Sequence, residues 1–434
     1  MALSTAKGIS IMFDEICELW DANNVMARQC DVIDFEAPLM QNSVNTVWRE
    51  VEQMAPVKEG WDMTNEFGDI IQRSYPSSLG EPFNDAFSLR ADDFRDDRFM
   101  KNRAKTAVNK LSADQNARIA QLVIDTGTLA YEFAAAAGYG YVAAAETIMD
   151  TNELSGMDDR SFFLKPVNHE AIAKDLAGRG TLAQRPEGAY GKSAVGKDIA
   201  GFDVFRLNAL PSYIGAAAVA PTVNGDQSFV PEGSQTSTDG HEVPVDYREA
   251  TVTLSATTGL KRGDKFTLPG CFDVSLANKI QSDRLATFAI VEVVDATDIV
   301  IFPKPIAFSE RPVADGGDGT LTAEEAAYAN VSVPFGDTDV VTLLASAATK
   351  AVWQPDAFWT NDSVEIVNGN APFEFMSQMD GFTVIKETLD SGVTVYMMYQ
   401  GSIATATLDC RVFTWYGLVN RKPSHNGVAF PNFA

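Results

Sequence analysis

Histidine is almost missing from this chain: 434 residues hold three, His169, His241 and His425. None stands near a Gly-x-Ser-x-Gly elbow, so the pattern offers no hydrolase triad. Cysteine is scarce as well. Cys17, Cys30, Cys271 and Cys410 lie far apart, with no C-x-x-C pair. That removes the usual zinc and dithiol motifs and fits a reducing compartment. Positive charge is in short supply too: 34 Lys and Arg face 59 Asp and Glu, a net charge of -25. Such a balance repels phosphates and excludes electrostatic gripping of nucleic acid. Composition alone reads it as solubility. No long apolar run is present. The longest uncharged stretch, residues 207–225, contains Pro211 and Pro221 and is mostly small or polar. No membrane span is therefore expected. Asp14, Glu15 and Glu18 arrive too early for a signal peptide.

What is present is ordinary for an ordered protein, with 45% hydrophobic and 21% charged residues. The length exceeds one core, so two to four folding units are expected. Near the start, Ile9, Met12, Phe13, Ile16 and Trp20 recur at helical spacing beside an acidic flank. Such a helix either packs on its own body or offers its acids to a basic partner. Residues 46–53 alternate like a strand, Pro56, Gly60 and Asp62 punctuate a turn, and residues 70–79 read as a return strand. The two arms carry few large apolar residues and cannot make a core alone. They must lie on their own body or on a neighbouring subunit.

A charge run at 92–98 introduces a helix over residues 99–125, roughly 40 Å long. Gly127 stops it. Helices at 141–149 and 169–177 alternate with strands at 161–164 and 202–207, a mixed α/β texture. From Thr222 to about Val333 strands dominate, at 243–247, 250–255, 265–268, 287–294 and 298–302, separated by close turn signals. That is the signature of a small antiparallel barrel or sandwich. The mixed texture returns after Val340, with strands at 393–396 and 404–416. The chain therefore reads as an all-β domain inserted into a discontinuous body.

The short motifs carry little. Gly191-Lys192-Ser193 resembles the tail of a phosphate loop, but Pro186 stands where its leading glycine belongs. The acids of residues 315–319 and Glu324 miss the alternating positions of a calcium loop. Arg262-Gly263-Asp264 is a cell-adhesion tripeptide that reads better as a turn between strands. No catalytic residue, cofactor or metal site is expected.

Several stretches together carry a family resemblance: MALSTAKG near the start, VEQMAPVKEGWDMT, GEPFNDAFSLRADDFRDD, PEGAYGKSAVGKDIAGFDV, ATVTLSATTGLKRGDK and CRVFTWYGLVNRKP. In these the chain resembles the major capsid (coat) proteins of P-twenty-two-like short-tailed bacteriophages. The resemblance implies an α+β fold of the tailed-phage, Hong-Kong-ninety-seven type. That fold has a long spine helix, an extended β loop and, in this family, an inserted telokin-like or immunoglobulin-like β-barrel domain. The implied segments are an N-terminal arm (1–38), the extended loop and flanks (39–90), a peripheral domain with the spine helix running into an axial domain (91–221), the insertion (222–344) and a return (345–434).

The implied function is structural. Copies form hexamers and pentamers of an icosahedral shell around double-stranded DNA. The shell is built in the host cytoplasm with a scaffolding protein and a portal protein, expands on packaging, and ends in the virion. Three sites are implied: Asp14, Glu15 and Glu18 toward the scaffold; Asp239, Gly240, Glu242, Asp246 and Arg248 between capsomers; and Lys58 and Trp61 on a neighbouring subunit. No Lys–Asn isopeptide is expected in this family. The alternatives are an encapsulin-type compartment and, further off, a β-domain adhesion or glycan-binding protein.

Overall fold

The structure, a computed structural model, describes residues 5–35, 45–51, 61, 64, 72–90, 93, 97–134, 138–152, 159–178, 194–237, 239–275, 277–308, 323–369, 383–402, 405 and 407–432. Two units emerge. The first gathers Met1–Val47, Ser77–Ala120 and Val364–Val419; the second gathers Trp48–Pro76, Gln121–Ser363 and Asn420–Ala434. Residues 222–344 fall inside the second.

In the first unit the stripe read from the sequence forms the helix Thr5–Asn23. A second helix runs Asp97–Thr126, close to the expected span, and passes from the first unit into the second at Ala120. Both pack on a four-stranded antiparallel sheet ordered Thr383–Thr388, Thr394–Ser402, Thr407–Thr414, Phe83–Arg90. The strand Phe83–Arg90 is not expected from the sequence, where the charge run behind it reads as the approach to a helix. Its alternation is real: Asp85 and Leu89 face inward while Asn84, Ala86, Ser88 and Arg90 are exposed. An acid at an inward position disguises it. Arg103 and Lys110 of the long helix hold Asp85 at 2.7 and 3.2 Å, and Arg103 lies 4.0 Å over the Phe87 ring.

The second unit holds a six-stranded mixed sheet ordered Leu129–Phe133, Asn426–Pro431, Asp356–Thr360, Arg160–Leu164, Phe202–Arg206, Ala194–Ile199. Its central strands Asp356–Thr360 and Arg160–Leu164 are buried at every position. Their sequences accordingly read as short apolar runs rather than alternations. Helices Tyr139–Thr151 and Pro166–Gly178 contribute Tyr141, Val142, Ala145, Met149 and Ile172 to a core with Phe162, Phe202 and Phe358.

The strand-rich stretch forms a five-stranded antiparallel sheet ordered Ala250–Thr253, Asp298–Phe302, Gln281–Val293, Lys265–Val274, Thr342–Leu343. It encloses its own core of Val252, Phe266, Phe288, Ile290, Ile301 and Phe335. An immunoglobulin-like strand order is not established by this sheet. The Arg262-Gly263-Asp264 tripeptide is a turn, with Gly263 at φ +88°. Asp264 is fully buried and accepts from the Tyr213 hydroxyl at 2.5 Å and the Lys261 amide at 3.0 Å. It cannot be presented to a receptor. The stretches 191–193 and 315–319 lie outside the described residues.

Candidate assembly surfaces

The apolar stripe of the N-terminal helix packs on the chain's own body. Ile9, Met12, Phe13, Ile16 and Trp20 are buried against Met100, Ala104, Val108 and Leu111 of the long helix and against Val395, Met397 and Val412 of the sheet. Polar contacts lock the end of the helix. The Trp20 indole and the Asn24 amide both donate to Gln115, at 3.3 and 2.6 Å, and the Met26 amide donates to Asn116 at 3.2 Å. Gln115 and Asn116 are buried polar residues within the long helix. They explain the gap in its apolar stripe between Leu111 and Ile119. What this arm shows to solvent is acidic: Asp14 and Glu18 are exposed, and half-buried Glu15 sits 3.5 Å from Lys101.

A two-stranded hairpin pairs Ser234–Thr236 with Glu242–Pro244, Ser234 opposite Pro244 and Thr236 opposite Glu242. Gly240 closes its turn at φ +80°, a conformation that favours glycine. Every residue of both strands is exposed, as are Asp239, Gly240 and His241. An isolated hairpin is marginal in water, so this one depends on its base.

The base is Asp246 and Arg248. The Arg248 guanidinium donates to both Asp246 oxygens, at 2.8 and 2.5 Å, and to the Asn420 carbonyl. It lies 4.8 Å over the Tyr75 ring and 5.3 Å over Phe302. Burial alone lowers its pKa, but the Asp246 hydrogen bonds and charge hold it above the usual arginine range. Within the subunit, then, Asp246 and Arg248 satisfy each other, while Asp239, Gly240 and Glu242 remain at the surface.

The segment expected as an extended loop begins as the strand Thr46–Val51, paired with Arg73–Ser78 in a two-stranded sheet. Tyr75 anchors it, fully buried, with Arg49 5.7 Å over its ring. Trp61 is fully exposed and Trp48 partly so. Lys58 lies outside the described residues.

One buried cluster was not legible in advance. Asp356 accepts from the Lys165 amide, the Tyr141 hydroxyl and the Asn168 side chain, each at 2.7 Å. Burial pushes its carboxyl up to about 7 against those donors. Through these three donors the carboxylate pins the strand Asp356–Thr360 to the two helices and to the end of the strand Arg160–Leu164. Its signal in the sequence is the acid that opens the apolar run of residues 356–359. His425 lies elsewhere, buried and pushed down to about 4 by burial and by Lys422. Among the described residues no group of His, Cys, Asp and Glu is arranged to hold a metal.

Solved structures similar to this chain include shells. The capsid of the cyanophage P-SCSP1u matches at TM-score 0.41 and 10% identity, over 94% of this chain and 87% of that one. The coat-protein I-domain of CUS-3 matches at TM-score 0.22 and 28% identity, over 29% of this chain and 96% of that one. An encapsulin from Synechococcus elongatus PCC 7942 matches at TM-score 0.38 and 9% identity, over 93% and 86%. The family match reaches further than these superpositions. The model of the P22 coat protein, gene protein 5, matches residues 1–432, and the chain belongs to that family.

Proposed function

We propose that the chain is the major subunit of a phage head, assembling as hexamers and pentamers into an icosahedral procapsid that later encloses double-stranded DNA. The observation that carries this reading is the family match over residues 1–432. Each copy would make several modest contacts, and closure of the lattice sums them. Three surfaces support the reading. Trp61, with Lys58 of the same extended loop, lies on a neighbouring subunit. Burying an indole there contributes on the order of 4 kcal/mol. The hairpin tip Asp239, Gly240 and Glu242 meets another capsomer, and Asp246 with Arg248 braces it from below. Residues 222–344, with their own core, act as the inserted domain that carries this hairpin.

Asp14 and Glu18, with Glu15 half-engaged by Lys101, face a basic segment of the scaffolding protein. A portal protein occupies one vertex. The net charge of -25 keeps the shell from binding packaged DNA. Expansion on packaging is a rigid-body and hinge change between two packed states. The match to the coat-protein family favours this reading over an encapsulin.

Co-expression with a basic scaffolding protein, followed by negative-stain microscopy, tests it. Closed shells are expected, and Asp14→Lys with Glu18→Lys should lower the scaffold content of those shells. Dispersed monomers in every preparation would overturn the reading; unchanged scaffold content in the variant would remove only the acidic contact.

A further inference from the structure

We infer that a cavity in the second unit is a binding site for a small organic anion with an apolar body. The cavity holds about 180 Å³ and is lined by the five-stranded sheet, by residues between Pro303 and Val331, and by the turn Pro423–His425. Most of its wall is apolar, with Leu129, Phe288, Pro303, Ile306 and Val331. Its charged members run against the balance of the whole chain. Arg248, Lys279, Arg284, Lys304 and Lys422 line it, with Asp273 the one carboxylate among them.

Three of these cations already hold carboxylates: Arg248 with Asp246 at 2.5 Å, Lys304 with Glu232 at 3.3 Å and Lys422 with Asp362 at 2.6 Å. Lys279 does not match them, and Arg284 reaches its own carboxylate, Asp273, only loosely. Lys279 is 6% exposed, and its ammonium donates to the Ala329 carbonyl at 3.2 Å with no carboxylate in reach among the described residues. Arg284 donates one Nη to Thr287 at 2.9 Å. The other lies 3.8 Å from Asp273 and makes no hydrogen bond. His425 is 3% exposed, and its Nδ1 has no partner.

A buried cation without a counter-charge is costly, and desolvation accordingly lowers Lys279 to about 8. A bound anion supplies the missing charge and the missing acceptor together. The wall decides which anion. A cavity of about 150 Å³ holds one benzene ring. A phosphate dianion would set a strongly hydrated charge against aliphatic carbon. A monocarboxylate on an aryl or short alkyl body satisfies both ends, in the usual pattern of an apolar pocket with a few convergent polar groups.

Fluorine NMR titration of the purified full-length chain tests this, with para-fluorobenzoate as probe. Acetate and para-fluorobenzyl alcohol serve as comparators, sharing only the charge and only the body. Saturable binding is expected, with affinity at least ~10-fold above both comparators. Lys279→Met should weaken it ~10-fold, and Ala286→Leu, which fills the cavity without touching a charge, should abolish it. Where Lys279→Met does not fold, as judged by circular dichroism, Arg284→Gln carries the same expectation. Equal binding of the alcohol would reveal a merely apolar void and overturn the proposal. So would affinity unchanged by the charge variant, or the absence of saturable binding.

Discussion

Arg248 carries its charge to a place where water scarcely follows, and its neighbours show what that requires. Asp246 takes two of its hydrogen bonds, a backbone carbonyl takes another, and two rings cover its faces. Removing the carboxylate leaves a buried cation unpaired, which costs about 3–5 kcal/mol. Asp246→Ala should therefore lower the urea midpoint sharply. Asp246→Ala with Arg248→Met should recover part of the loss, since no charge then stays buried. Asp356 behaves differently. Burial raises its carboxyl to about 7 from an ordinary value of 3.8. Between those values the folded chain keeps a proton that the unfolded chain has released. The stability this group contributes is thus full below about pH 4 and is lost as pH rises to about 7. Urea midpoints of the wild-type chain and Asp356→Asn should converge as pH rises through that window. A gap that stays constant would show that Asp356 does not titrate there. Asp246 and Arg248 were singled out by family resemblance as surface residues and Asp356 not at all, because a buried acid and a solvated one look alike among 59 acids.

At the scale of elements, periodicity was the reliable guide. The N-terminal helix and the long helix stand where their stripes put them. Trp20 shows how firmly the first is held: it is buried and hydrogen-bonded to Gln115. Trp20→Ala should cost about 3–5 kcal/mol by urea unfolding, whereas a loosely attached arm would lose less than about 1 kcal/mol. Polar residues at inward positions hid the rest. Asp85 obscured the strand Phe83–Arg90, and Gln115 with Asn116 interrupted the helical stripe. Each is rescued by a partner distant in sequence, which no local pattern reveals. The hairpin Ser234–Pro244 was placed by family resemblance, not by pattern: the expected strand at 243–247 overlaps only the end of Glu242–Pro244. Its residues are exposed and its base is braced separately. Deleting residues 235–243 should leave the melting of the unassembled chain unchanged within about 0.5 kcal/mol and weaken shells. A large loss of monomer stability would mean that the hairpin serves the subunit rather than the lattice.

For the whole molecule, what matters is what the fold leaves uncovered. Each unit closes its own core, yet an indole at Trp61 and the two exposed strands of the hairpin remain outside. A chain acting alone gains nothing from either. In the proposed lattice other copies would cover both, and the acidic surface would keep such a shell soluble and clear of its nucleic acid. The family placement was legible from motifs spread along the sequence, because no single one had to carry it. The division into two units was not, since each is assembled from three separate stretches of chain. A cryo-electron microscopy reconstruction of the purified particle tests this account most directly. The expected result is a closed icosahedral shell in which Trp61 and the tip Asp239–Glu242 each contact another copy. Absence of a closed particle, or a shell in which both lie in solvent, would contradict it.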